Sequence, residues 1–295
     1  MSLRILREIR AAFRHLNPET VRQLAERPVH VGLDAASDER MAAMEEFFVP
    51  ADVSRRKSAE SRQFLHRVAG PGATRSFDIV VCDEALPGGP GAVLFQFSDP
   101  QRTVREVLRR HEALAVPLAR RFPPFRKPAV DKIIRDVSRM NTYFALFSAL
   151  PNVLPSIVGL IWAPMEFASD TAVITANQVR MAFLIAAASD KEAGYFEQKG
   201  QIASIIAGAF GWRALARELA GKVPLGGGLM AKAAIAYAGT FAVGRSLERF
   251  HRIGYGLTRE EQEAVYRQAF ERGKRIAESI WKRKQPAAAA VEGEV

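Results

Sequence analysis

The chain carries a single cysteine, Cys82, so no internal disulfide can form, and the composition fits a reducing compartment. Its five histidines are scattered, and with one cysteine they give no ligand spacing for a zinc or iron centre. The G-x-S-x-G elbow of serine hydrolases is missing, as is the H-E-x-x-H of zinc proteases. Nothing is spaced like a zinc finger, and no aromatic RNA-binding signature occurs. These absences leave no catalytic residue, cofactor or metal ligand to nominate, and they argue against nucleic acid as the partner. The first residues, MSLRILREIRAAFRHL, lack the continuous apolar core of a signal peptide, because arginine alternates with leucine and isoleucine. The protein is therefore expected in the cytoplasm or on the cytoplasmic side of the inner membrane. Carboxylates are also in short supply: 42 Lys and Arg stand against 32 Asp and Glu, a formal charge of +10. Such an excess favours an acidic partner, and by charge alone anionic lipid headgroups and nucleic acid both qualify.

An apolar fraction of 48% is enough for packed cores. Residues 1–27 read as amphipathic helices. Leu6, Ile9, Phe13 and Leu16 recur at helical spacing, with Arg4, Arg7, Arg10 and Arg14 over the remaining surface. Such a helix either lies on an anionic membrane or packs its stripe on its own domain. Asn17 and Pro18 suit the cap and first turn of a second helix.

Residues 28–125 read as a small α/β module. Val29–Leu33, Phe77–Cys82 and Ala92–Phe97 are apolar runs suited to buried strands, and Asp38–Phe48 is helical. Ala51–Val68 is polar, a loop leading into a short helix. Ser98, Asp99 and Pro100 open a helix through Arg121. A phosphate-binding loop here would need G-x-x-x-x-G-K-[ST]. Counting from Gly32, Ser37, Asp38 and Glu39 stand at the last three positions, where two carboxylates would repel a triphosphate. Asp83 and Glu84 end the second strand in the shape of a magnesium-binding strand, but without the loop a polar turn is the simpler reading. The prolines and charges of Arg121–Pro128 mark a boundary.

A helical domain with an apolar hairpin is expected over residues 130–284. Tyr143–Ala163 is long enough to cross a bilayer, but Pro151 and Pro155 cut it into short pieces. Thr171–Ser189 is also long enough but carries Arg180, which costs about 2.5–3.5 kcal/mol at a membrane midplane unless it is paired. Asp170, Asn177 and Arg180 fall near one helical face. Insertion in a membrane and burial in an ordinary helical core are both open readings of this stretch. In Leu229–Phe250, Ala234, Ala238 and Ala242 recur four apart, as do Ala236, Thr240 and Gly244, a spacing that lets helices approach closely. Positive clusters from Arg126 to Arg139 and from Arg245 to Arg252 flank the apolar region. If it inserts, both ends stay in the cytoplasm. Thr258 and Glu261 form a capping box for a final helix, and residues 285–295 read as a disordered tail.

Over Val130–Phe250 the chain resembles a bacterial domain of unknown function, number six-nine-seven. The resemblance is carried by DKIIRDVSRMN, by Pro151 and Pro155 ahead of Asp170, by the Gln178–Met181 pair, and by PLGGGLMAKAAIAYAGTFAVGRSLERF. That family is found fused to, or encoded beside, small Era-like GTPases, and its members are often membrane-associated. The resemblance implies a predominantly α-helical protein: a degenerate, GTPase-like α/β module followed by an all-α apolar domain. It makes Pro151, Pro155, Asp170, Gln178 and Met181 the fingerprint positions, and Asn177 and Arg180 join them as structural positions by their place on the same helix. The expected function is a non-catalytic, membrane-associated scaffold or GTPase-associated module, with anionic lipid, a GTPase or a second copy as partner. The alternatives are a nucleotide hydrolase with a non-standard phosphate site, or a soluble helical adaptor of a GTPase.

Overall fold

The computed structural model describes residues 3–14, 16–68, 76–148, 170–208 and 228–289. Among these the protein is mostly helical, with one four-stranded parallel sheet. It divides into two compact units. One is Glu19–Lys132 with Ala186–Ala193, and the other is Met1–Pro18 with Ile133–Ile185 and Gly194–Val295.

Helix α1 (Leu3–Arg14) opens the helical unit, and α2 (Pro18–Glu26) leads into the sheet unit. There the order is β1 (Val31–Asp34), α3 (Asp38–Phe48), α4 (Arg55–Arg62), β2 (Leu65–Arg67), β3 (Ile79–Asp83) and β4 (Val93–Phe95). Then come α5 (Pro100–Arg110), a 3-10 turn at Glu112–Leu114, and α6 (Ala115–Arg121). The strand order is β2-β1-β3-β4, and each neighbouring pair is parallel, with Val31 opposite both Leu65 and Ile79 and Val81 opposite Val93. Val31, Leu33, Ile79, Val81, Val93 and Phe95 are buried, as strands covered on both faces require. Strand β2 is new relative to the sequence reading: Leu-His-Arg has no apolar run, because this edge strand is only partly buried. The link Glu84–Ala92 joins two adjacent parallel strands without a crossover helix. It does so through Gly88 (φ 59°) and Gly91 (φ 81°), positions at which L side chains are strained.

Two expectations for this stretch change. The helix foreseen from Pro100 to Arg121 breaks at His111. The foreseen boundary Arg121–Pro128 is instead the start of α7 (Pro123–Phe147). Pro123 and Pro124 occupy the first turn, where a missing N–H costs nothing, and Pro128 forfeits one further backbone bond. What holds the segment in place is apolar: Phe122 and Phe125 are wholly buried, with ring centroids 5.5 and 5.6 Å from that of Phe48.

The helical unit takes α7 from Ile133 onward and α8 (Asp170–Ala188) as far as Ile185. It also contains α9 (the helical residues 199–208), α10 (Gly228–Ile253) and α11 (Arg259–Ala289). Ile9 and Ala12 of α1 are buried, and the Tyr195 hydroxyl lies 2.8 Å from the carbonyl oxygens of both Phe13 and Leu16. The apolar stripe of α1 therefore packs within its own unit. The capping box of α11 forms as expected: the Thr258 N–H donates to Glu261 Oε2 at 2.9 Å and the Glu261 N–H to Thr258 Oγ1 at 3.3 Å. Because α11 runs to Ala289, the first residues of the expected tail are helical.

The small-residue stripe of α10 works as close packing. Ala234, Ala238 and Thr240 are wholly buried. A Cβ on Gly244 would meet Ile134 of α7 at 2.8 Å, and one on Gly273 of α11 would meet the Ala234 carbonyl and Tyr237 Cβ at 3.0 Å. Gly244→Ala is thus expected to destabilise the protein by about 2 kcal/mol, although alanine is intrinsically the better helix former by about 1 kcal/mol. The readout is the urea midpoint at unchanged slope. Ile134→Ala, which removes the two Cγ atoms the new methyl would meet, should recover part of the loss in the same chain, and strict additivity of the two changes would refute the contact argument.

Candidate functional site

Seven positions, five from the family pattern and two from helical spacing, were expected to matter. Pro151 and Pro155 lie outside the described residues. The other five are on α8, each with its own surroundings. Asp170 pairs with Lys232 of α10, whose Nζ also donates to Ser148 Oγ at 3.4 Å. Asn177 and Gln178 enter a buried amide and hydroxyl cluster. Asn177 Nδ2 donates to Asn141 Oδ1 at 2.7 Å, and Asn141 Nδ2 donates to Thr240 Oγ1 at 2.8 Å. Gln178 Nε2 reaches the same Thr240 oxygen at 3.2 Å. The four side chains come from α7, α8 and α10, and none is more than 3% exposed. Met181 is wholly buried in the apolar surroundings. Arg180 is half-buried and makes no hydrogen bond or ion pair among the described residues.

The hydroxyls near this cluster use a local solution. Ser138 donates to the Ile134 carbonyl at 2.7 Å and Thr142 to the Ser138 carbonyl at 2.8 Å, each bonding back one turn of its helix. The cluster contains no ionisable group, so its direct chemistry is to fix the register of three helices. Asn141 and Thr240 were not foreseen as partners. Their one sequence signal is a polar residue inside an otherwise apolar helical face. Among the described residues, α8 is the one helix long and apolar enough to cross a membrane, and 83% of its most apolar window is buried inside the protein. As observed, α8 is a core helix.

A second candidate site lies in the sheet unit. Ligands of open parallel sheets bind beyond the carboxyl ends of the strands, where successive connections leave in opposite directions. In the order β2-β1-β3-β4 that point is between β1 and β3, so it falls at Asp34 and Asp83. Only Ala35, Ala36 and Ser37 separate β1 from α3, and Ser37 caps the helix by accepting from the Arg40 N–H at 3.3 Å.

Asp83 is wholly buried, and both of its oxygens are occupied. Oδ2 accepts from Arg40 Nε at 2.6 Å and the Ala36 N–H at 3.2 Å. Oδ1 accepts from Arg40 Nη2 at 2.7 Å and the Ala85 N–H at 2.9 Å. Those four bonds use the four lone-pair positions of a carboxylate. The Arg40 guanidinium, helped by the two backbone N–H groups, holds the Asp83 carboxyl down to about 2. Arg40 is fixed from its other side by the Phe97 ring, 4.1 Å away. Cys82, next in the strand, is buried, and burial pushes its thiol up, away from the reactive thiolate. Arg40 was missed in the sequence because its role needs a cap at Ser37 and a strand end forty-odd residues later, brought together only by the parallel pairing of β1 with β3.

Comparison with protein-family models, characterised proteins and solved structures gave no match.

Proposed function

We propose that this chain is a non-catalytic, membrane-associated module that docks on an anionic surface, with a degenerate GTPase-like sheet unit that no longer takes nucleotide. The observation that carries the reading is Asp83. At the place where a doubly wound sheet would receive a phosphate, the chain supplies its own anion and spends all four of that anion's acceptor positions internally. A magnesium ion would have to displace Arg40, which speaks against the hydrolase alternative.

The docking half of the proposal draws on the formal charge of +10. It also draws on apolar side chains that the helical unit leaves in water: Phe196 (76% exposed), Tyr255 (59%) and Ile253 (44%). Aromatic rings beside cations suit the headgroup region, and Lys199 and Arg249 lie over the Phe196 and Tyr255 rings at 4.7 and 5.1 Å. Since α8 is occupied with its own core, contact with lipid falls to this surface. The test has two arms. Calorimetry with GTP or ATP and magnesium is expected to give no heat, and co-sedimentation is expected with phosphatidylglycerol vesicles at low salt but not at high salt. A measurable nucleotide affinity, or no vesicle binding at low salt, would end the proposal. The likeness to a GTPase-associated family makes a GTPase the protein partner to seek by pull-down.

A further inference from the structure

Of the six large apolar side chains left exposed among the described residues, five are in the helical unit, and they gather at one cavity. Phe250 (38% exposed) lines a groove of about 660 Å³ that is half-open to solvent. Phe196 and Tyr255 are next in sequence to Glu197 and Gly256, which line it too. A half-open cavity of this size with an apolar floor and an aromatic rim has the form of a small-ligand site.

The groove lies between α9 and α10. Its floor is Ile205 of α9 with Ala242 and Leu247 of α10, all buried. Ala207, Gly208 and Ala242 leave the space that longer side chains would fill. Polar groups beside the floor are spent on the chain itself. The Leu257 N–H donates to Ser246 Oγ at 3.1 Å, and Gln262 Nε2 donates to the Leu257 carbonyl at 3.0 Å, so both side chains hold the link from α10 to α11. That link is seated closely, since a Cβ on Gly256 would meet Ser246 Oγ at 2.5 Å. An occupant therefore finds apolar contacts and few hydrogen-bond partners, which favours a hydrocarbon chain over a polar metabolite.

Charge selects the other end of the occupant. Among the described residues that line the groove, Lys199 is the one cation, and its Nζ lies 4.7 Å from the Phe196 ring. Glu197, the one carboxylate there, has an interaction of its own. Arg249, over the Tyr255 ring, is bound to Glu261 at 2.5 Å. The cation left for an anionic head is Lys199.

We propose that the groove between α9 and α10 binds a single fatty acyl chain, with its anionic head at Lys199. The inference deepens the membrane-docking reading, and rests on it for the membrane as the source of the lipid, but the groove is tested without vesicles so that the two fail separately.

The experiment titrates the intact chain calorimetrically with octanoate, decanoate and dodecanoate below their micelle concentrations, and with dodecyltrimethylammonium. Binding is expected to tighten about tenfold for each two added methylenes, a little under the value for full burial. The cationic amphiphile is expected to bind about tenfold more weakly than dodecanoate, and Lys199→Gln to remove that preference while keeping the chain-length increment. Two variants fill the groove: Val243→Phe from α10, where the residue is partly buried, and Ser204→Trp from α9, where it is exposed. Each is used with an unchanged circular dichroism spectrum and is expected to weaken dodecanoate binding about tenfold. Affinity that ignores chain length, or dodecanoate binding that is equal in the unmodified chain and the folded filled variants, overturns the groove. Co-sedimentation with phosphatidylglycerol vesicles in that case leaves membrane docking standing without it. Chain-length-dependent binding that the fillers weaken, with no co-sedimentation, keeps the groove and removes the docking proposal. Equal affinity for the two head charges overturns the place given to Lys199.

Discussion

Asn141→Asp is expected to cost the helical unit about 4 kcal/mol at neutral pH, and most of that loss is expected to vanish below about pH 4. Asn141 is wholly buried, donating to Thr240 at 2.8 Å and accepting from Asn177 at 2.7 Å. The substitution removes the donor and places a carboxyl where one amide hydrogen is its fixed partner. Burial disfavours the charged form, so in the folded chain the introduced carboxyl titrates above its unfolded value of about 3.9. The folded state then binds more protons than the unfolded state between those two values, and stability falls as pH rises through that window. Above it the penalty is complete. Asn141→Ala separates charge from geometry: it strands Asn177 and weakens the hold on Thr240, a loss of about 2–3 kcal/mol that does not vary with pH. Thermal melts of both variants between pH 4 and 8 decide the matter. A pH-independent Asn141→Asp curve would mean that water reaches the cluster.

That cluster also shows where a linear reading of the chain runs out. Regular features controlled by near neighbours were legible. Helix α3 starts at Asp38 as read, α11 starts at its capping box, and the four-residue spacing of small side chains in α10 marks a close-packed face. The apolar runs behind β1, β3 and β4 were visible too, each displaced by a residue or two. What spacing left open depended on distant partners. Asp170, Asn177 and Arg180 share a helical face by spacing, yet one pairs with Lys232, one with Asn141 and one with nothing described. Spacing says which direction a side chain leaves the helix, while the partner 36 or 62 residues away decides what it does. Pro123 and Pro124 read as a stop, and α6 does end at Arg121, but the burial of Phe122 and Phe125 beside them makes the same residues the start of α7 as well. Apolar content at α8 was equally ambiguous, since a membrane span and a core helix have the same composition; the structure adds that α8 is 83% buried over its most apolar window and bonded to α7 and α10 side chains.

Asp83 supplies the second large effect. Its folded value of about 2 lies below an unfolded value near 3.8, so the unfolded chain binds the proton first as the medium is acidified. The stabilisation is therefore complete above the unfolded value and is lost as pH falls from about 4 towards 2. Other carboxylates titrate in the same window. Glu106, clamped by Arg109 and Arg110, is also held to about 2, so the slope of the unmodified chain alone is not diagnostic. The difference from Asp83→Asn is, because it cancels every group but one. Asp83→Ala goes further. It leaves the Ala36 and Ala85 N–H groups and the Arg40 guanidinium facing an empty position, and because Arg40 is 36% exposed the loss is expected at about 2 kcal/mol, below that of a fully buried pair. In that variant the amides at the start of α3 and the cation above them form an anion site of the chain's own making. Sulfate is expected to raise the melting temperature of Asp83→Ala by more than it raises that of the unmodified chain. Equal responses would mean that Asp83 is an ordinary turn carboxylate instead of a stand-in for a lost phosphate, and the case for a module that has closed its own nucleotide site would fall with it.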